Sequence, residues 1–209
     1  MATTFPLEQP VAGRTFGRCA AIAPDRGEPL NAEERYQALL DELHAEFPRF
    51  RLIDKSDSML QRSIAWALAV VTFGGQRRYL SDYVTTLGER VYLPSTWPAR
   101  SAVERTITLR HERVHLRQFR RWGFPLMAVV YLLVPLPLGL AYGRYRFERA
   151  AFEETLRATF ELLGRERVCD AAFRSRIVAQ FTAGAYGWMW PFPRAIERWY
   201  DRTLAALDG

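Results

Sequence analysis

Two histidines stand four residues apart with a glutamate between them, in His111-Glu112-Arg113-Val114-His115. On a helix, residues i and i+4 project from one face, so both imidazoles can reach a single metal ion while Glu112 stands beside it. The surrounding residues predict that helix. Ser101 to Leu109 holds neither Gly nor Pro. At about 100° per residue, Ile107, Thr108, His111, His115 and Gln118 share one side with Glu104, whereas Arg110, Arg113 and Arg117 gather on the other. The motif therefore belongs on the inward face of an amphipathic helix. There His111 and His115 are candidate zinc ligands, and Glu112 is placed to take a proton from metal-bound water.

A catalytic zinc usually takes three protein ligands and keeps a fourth position for water. The metzincin continuation would place a glycine and a third histidine where Gln118 and Arg121 stand, and no histidine follows His115. The third ligand is then a carboxylate. Residues 144–166 read as a helix with an apolar arc of Tyr145, Phe147, Ala151, Phe152, Leu156, Ala158, Leu162 and Leu163, and Glu148 falls in the middle of it. Glu153 lies on the polar side and Glu154 at the edge. A carboxylate aimed at an apolar interior must be paired, protonated or bound to a metal, so Glu148 is either the third ligand or the partner of a buried arginine.

The HERVH string followed by Glu148 on a second helix resembles the zincin metallopeptidases of the gluzincin type. The resemblance covers residues 101–163. It implies one catalytic Zn2+ held by His111, His115 and Glu148, with Glu112 as general base and a peptide or protein as substrate. One position departs from the pattern: where thermolysin-like members carry an acid that orients a histidine, this chain has Phe152. Glu104 is a candidate for that orienting role. Tyr186 is a candidate donor to a developing oxyanion, with plain packing as the alternative.

From Phe124 to Tyr142 run nineteen residues without a charge, flanked by Arg120-Arg121 and Arg144. A straight helix of that length would carry its ends about 28 Å apart, the thickness of a bilayer's hydrocarbon, and His115 and Glu148 could not share one metal. Pro135 and Pro137 break the run, so it is expected to fold back as an apolar hairpin, 124–142. Burial in the core and peripheral contact with a membrane both stay open for it, and the string Gly187-Trp-Met-Trp-Pro-Phe-Pro193 suits either.

The rest of the chain frames this site. Asn31, with Glu34 three residues on, starts a helix carrying Tyr36, Leu39, Leu40 and Leu43 and stopping before Pro48. His44 within it is isolated from other donors and reads as structural. A second helix is expected over residues 58–73, ended by Gly74-Gly75. Residues 83–87 and 90–93 read as strands around Gly88-Glu89, a hairpin whose edge could pair with an extended peptide. The first thirty residues, rich in Pro and Gly and without a continuous apolar run, read as a loose arm without a secretory signal, followed by one domain over 31–209.

The chain has 209 residues, 49% hydrophobic, enough for a full core. The net charge of +6 is carried almost wholly by arginine, Lys55 being the only lysine, and reads as coding bias. No RRM, KH, zinc-finger or helix-turn-helix pattern accompanies it, so nucleic acid is not the expected partner. Cys19 and Cys169 form no metal-ligand spacing and read as free thiols of a cytoplasmic protein, membrane-associated if the apolar hairpin docks. The expectation is a mainly helical α+β domain of zincin-like, minimal build that hydrolyses peptide bonds. The competing expectation is a non-catalytic membrane-peripheral or assembly protein whose zinc site is structural, vestigial or absent.

Overall fold

The computed structural model describes residues 30–55, 83–132, 142–183, 189–190 and 192–208. The expected N-terminal arm, the helix over 58–73, Cys19, Tyr186 and the turn at Pro135 and Pro137 lie outside those residues. What is described is mainly helical with one small sheet.

Helix α1 (Ala32–Glu46) begins as expected. The Asn31 side chain accepts from the backbone N–H of Glu33 and Glu34, and Glu34 returns a bond to the Asn31 N–H, closing a capping box. Its buried stripe is Tyr36, Leu39 and Leu43, and His44 is exposed against the edge of Phe50. The chain then enters β1 (Arg51–Asp54), a strand too short and half-buried to announce itself by alternation. The hairpin forms β2 (Thr85–Leu87) and β3 (Arg90–Leu93) around Gly88, whose φ of 63° favours glycine. The order is β1-β3-β2, with β3 parallel to β1 and antiparallel to β2. Among the described residues β2 is thus an edge strand, and it lies against the motif helix.

That helix, α2 (Ala102–Leu132), starts with a reciprocal bond set between Ser101 and Glu104. It breaks its backbone at Gly123 (φ 73°, ψ 160°), two residues before Pro125, and resumes helically to Leu132. The first arm of the expected apolar hairpin is therefore a kinked extension of α2. The partner helix α3 (Tyr142–Leu163) stops at Gly164 (φ 83°), short of the Glu166 expected from periodicity, and Leu163 is 41% exposed instead of joining the apolar arc. Short α4 (Arg165–Cys169), α5 (Ala171–Thr182) and α6 (Pro193–Leu207) follow. Cys169 is a free, exposed thiol.

Two apolar clusters flank the pair α2 and α3. One joins α1, the sheet, Trp97 and the α2 side chains Leu109 and Leu116. The other joins Phe152 and Leu156 of α3 to Phe173, Ile177 and Phe181 of α5 and Trp199 and Tyr200 of α6. Trp122 of α2 lies 6.4 Å from Phe147 of α3, so the two ends of the uncharged run return to one place. No described helix is long and apolar enough to cross a membrane.

Candidate metal centre

The helical phase of the motif puts His111, Glu112 and His115 at 0% exposure, with Thr108 and Ile107 above them. On the opposite face Arg110 pairs with Glu154 and Glu161, while Arg113 and Arg117 converge on Glu46. Glu148 arrives from α3 at 2% exposure. Its Oε2 lies 3.7 Å from His111 Nε2 and 3.6 Å from His115 Nε2, and the two imidazole nitrogens are 3.1 Å apart. Donors spaced like this fit a tetrahedral ion, whose bonds of about 2.1 Å put neighbouring ligands roughly 3.4 Å apart. The buried group His111, His115 and Glu148 could hold a metal ion.

The far sides of the rings decide which nitrogen is offered. Thr155 Oγ1 donates its hydrogen to the Ala151 carbonyl at 3.2 Å, leaving a lone pair for His111 Nδ1 at 2.9 Å. Gln118 spends its amide N–H on the Phe147 carbonyl and turns Oε1 to His115 Nδ1 at 2.9 Å. Both rings therefore carry Nδ1–H and present Nε2 to the centre. These are the orienting partners that sequence reasoning missed. Glu104, the candidate for that role, is instead committed to capping α2 through Ser101. Phe152, in the position of the expected acid, sets its ring edge-on to His111 at 4.9 Å.

Electrostatics at the centre favour one positive charge. Burial drives His111 down to about 3, aided by the charge of His115. Burial also opposes charge on His115, yet the Glu148 carboxylate and its hydrogen bond outweigh it and raise that imidazole. Burial opposes ionisation of Glu148 too, and the His115 charge and hydrogen bond overcome it, holding the carboxyl at about 2. Without a metal, a proton on His115 balances Glu148, and a cation bound among the three takes that proton's place.

Glu112 reaches from α2 to the sheet beside the histidines. Its Oε2 accepts from Thr86 Oγ1 at 2.6 Å, and its Oε1 is buried with no hydrogen-bond partner among the described residues. Burial pushes this carboxyl up, against the pull of His115 and Thr86. Lys55, just past β1, is also 0% exposed; burial lowers its amine to about 7, while the neighbouring Glu112 charge works the other way. The chain's only lysine thus sits beside the motif glutamate. Its rarity among 29 basic residues was the one signal in the sequence, and composition alone assigns it no place. A groove lined by Leu39, Glu42, Arg110, Arg113 and Leu162 opens on the arginine side of α2, away from the histidines.

No match to this chain is found among protein-family models, curated proteins or solved structures.

Proposed function

We propose that this chain is a zinc-dependent hydrolase of peptide bonds, with His111, His115 and Glu148 as metal ligands and Glu112 as general base. The observation that carries the reading is the Glu112 carboxylate: one oxygen held by Thr86, the other buried and unpartnered among the described residues, beside two histidines that both offer Nε2. A purely structural metal site needs no such group. Two histidines and a carboxylate suit Zn2+, which when bound lowers the pKa of a water and polarises a carbonyl.

The protein's own groups supply the rest. Glu112 Oε1 accepts a proton and returns it to the departing amine, and the Thr86 hydroxyl fixes the carboxylate's rotation during both transfers. Lys55 in its protonated form places a positive charge beside Glu112, which favours the ionised base. Thr86 belongs to the edge strand β2, so an extended peptide added to that edge would run past the carboxylate. This juxtaposition supports a peptide over other hydrolysable substrates.

Full burial favours a second reading. His111, Glu112 and His115 are all at 0% exposure, and a closed site is the mark of a structural metal. Metal analysis of purified protein and its Glu112→Gln variant, with fluorescent casein as substrate, separates the two. Stoichiometric zinc in both proteins with hydrolysis only in the first supports the enzyme. Zinc in both with hydrolysis in neither supports the structural site, and absence of zinc from both removes the metal centre altogether.

A further inference from the structure

Seven large hydrophobic side chains are exposed among the described residues, and five of them, Trp122, Phe124, Leu126, Tyr142 and Phe192, belong to one end of the molecule. Ring contacts seat the aromatic ones on their neighbours at the ends of α2 and α3. Phe124 stacks near Phe119 at 6.1 Å, Trp122 meets Phe147 at 6.4 Å, Tyr142 meets Trp190 at 5.6 Å, and Trp190 meets Phe192 at 5.3 Å. The patch sits where α2 kinks at Gly123 and where α3 begins, the two points between which the uncharged run from Phe124 to Tyr142 leaves and returns. Isolated exposed apolar residues are ordinary, but a contiguous cluster rich in Trp, Tyr and Phe marks a docking surface.

Charge says what it docks to. Between Glu112 and Glu148 the chain has no acidic residue and six arginines. Three of these, Arg113, Arg117 and Arg120, are engaged by Glu42 and Glu46. Arg121 and Arg146 are exposed at the patch and in no ion pair among the described residues: Arg121 lies over the Trp122 ring at 5.3 Å, and Arg146 reaches the Tyr142 hydroxyl at 3.4 Å. Aromatic rings that enter the headgroup boundary, ringed by guanidinium groups that meet phosphate, form the chemistry of a bilayer interface. The backbone break at Gly123 and the helix-breaking Pro125 keep the described arm from being a straight span.

We infer that this end of the molecule is a peripheral docking surface for a membrane containing anionic lipid. It holds the α2 and α3 ends against the headgroups and leaves the metal centre one to two helical turns behind the interface. The inference is independent of whether the centre is catalytic.

The test is co-sedimentation of the full chain with vesicles of phosphatidylcholine, alone or mixed with phosphatidylglycerol. Binding is expected to the mixed vesicles, weakened roughly tenfold or more without the anionic lipid or at high salt. Trp122→Ser/Phe124→Ser should abolish it, and Arg121→Glu/Arg146→Glu, which alters only surface side chains, should weaken it by at least about tenfold while metal content stays that of the parent. Failure to bind either vesicle overturns the inference. So does binding that both double variants retain, or a concentration-dependent dimer that Phe124→Ser dissolves while vesicles remain unbound. Vesicle binding with an empty metal centre would uphold this surface and remove the hydrolase, so the two readings fail separately.

Discussion

Thr155→Val tests the metal centre at the residue the motif does not name. Thr155 Oγ1 and His111 Nδ1 are 2.9 Å apart and both side chains are fully buried. Valine keeps the shape and removes the acceptor. Without a metal, the His111 ring has an escape: its proton can move to Nε2, on the side of the Glu148 carboxylate, whose Oε2 lies 3.7 Å away. With a metal on Nε2 that route closes, and Nδ1–H loses the Thr155 acceptor and keeps only its backbone bond to Ala151, at a cost of about 1–1.5 kcal/mol. The lost bond from Thr155 to the Ala151 carbonyl is common to both states and cancels. The penalty therefore falls on metal binding, and zinc affinity should drop roughly five- to tenfold, the low end of what removing an orienting partner of a histidine ligand costs. Competition against a chromogenic chelator measures the affinity, and thermal unfolding with and without Zn2+ measures the two states. Thr155→Ser, which keeps the hydroxyl, should bind within about twofold of the parent. An affinity within about twofold of the parent for the valine variant, or a metal-free protein destabilised as much as the loaded one, would refute the reasoning.

Lys55→Met removes the cation beside Glu112 without leaving a cavity; zinc content should hold while hydrolysis falls roughly tenfold or more, and equal rates would place Lys55 outside the chemistry. Gly123→Ala meets no steric wall, its nearest contact being Pro125 Cδ at 3.8 Å, so the strained φ of 73° alone should cost about 1–3 kcal/mol, read as a fall of several degrees in Tm. Glu46 is held at about 2, chiefly by its hydrogen bond to Arg117, so its contribution is complete above its ordinary value of 4.5 and is lost as pH falls toward 2. After screening around half-exposed Arg117 and Arg120, Glu46→Gln should cost about 1 kcal/mol at neutral pH. The gap in Tm from the parent should close between about pH 4.5 and pH 2, and a gap independent of pH would show that the ion pairs are not its source.

Much of the centre was legible from the chain because it depends on the phase of single helices. The four-residue spacing of His111 and His115, the arginine face opposite them, and Glu148 within an apolar arc all follow from periodicity within one element, and each is realised. So is the Asn31 capping box, whose partners lie within one turn. The need for His115 and Glu148 to meet also argues against a straight span between them.

Phase within an element says nothing about how one element slides or rotates against another. Thr155 stands opposite His111 because of the register of α2 on α3, and Thr86 reaches Glu112 because β2 lies against α2. Lys55 enters the site because β1 pairs in parallel with β3 across a long stretch of sequence. Glu104 shows the same limit from the other side: its phase was right for the site, and a nearer partner, Ser101, claimed it. The chain by itself determined which side chains face inward and which donors could share an ion. The docking of its elements, summed over many buried contacts that no local pattern encodes, decided which neighbours orient those donors and which groups stand beside the base.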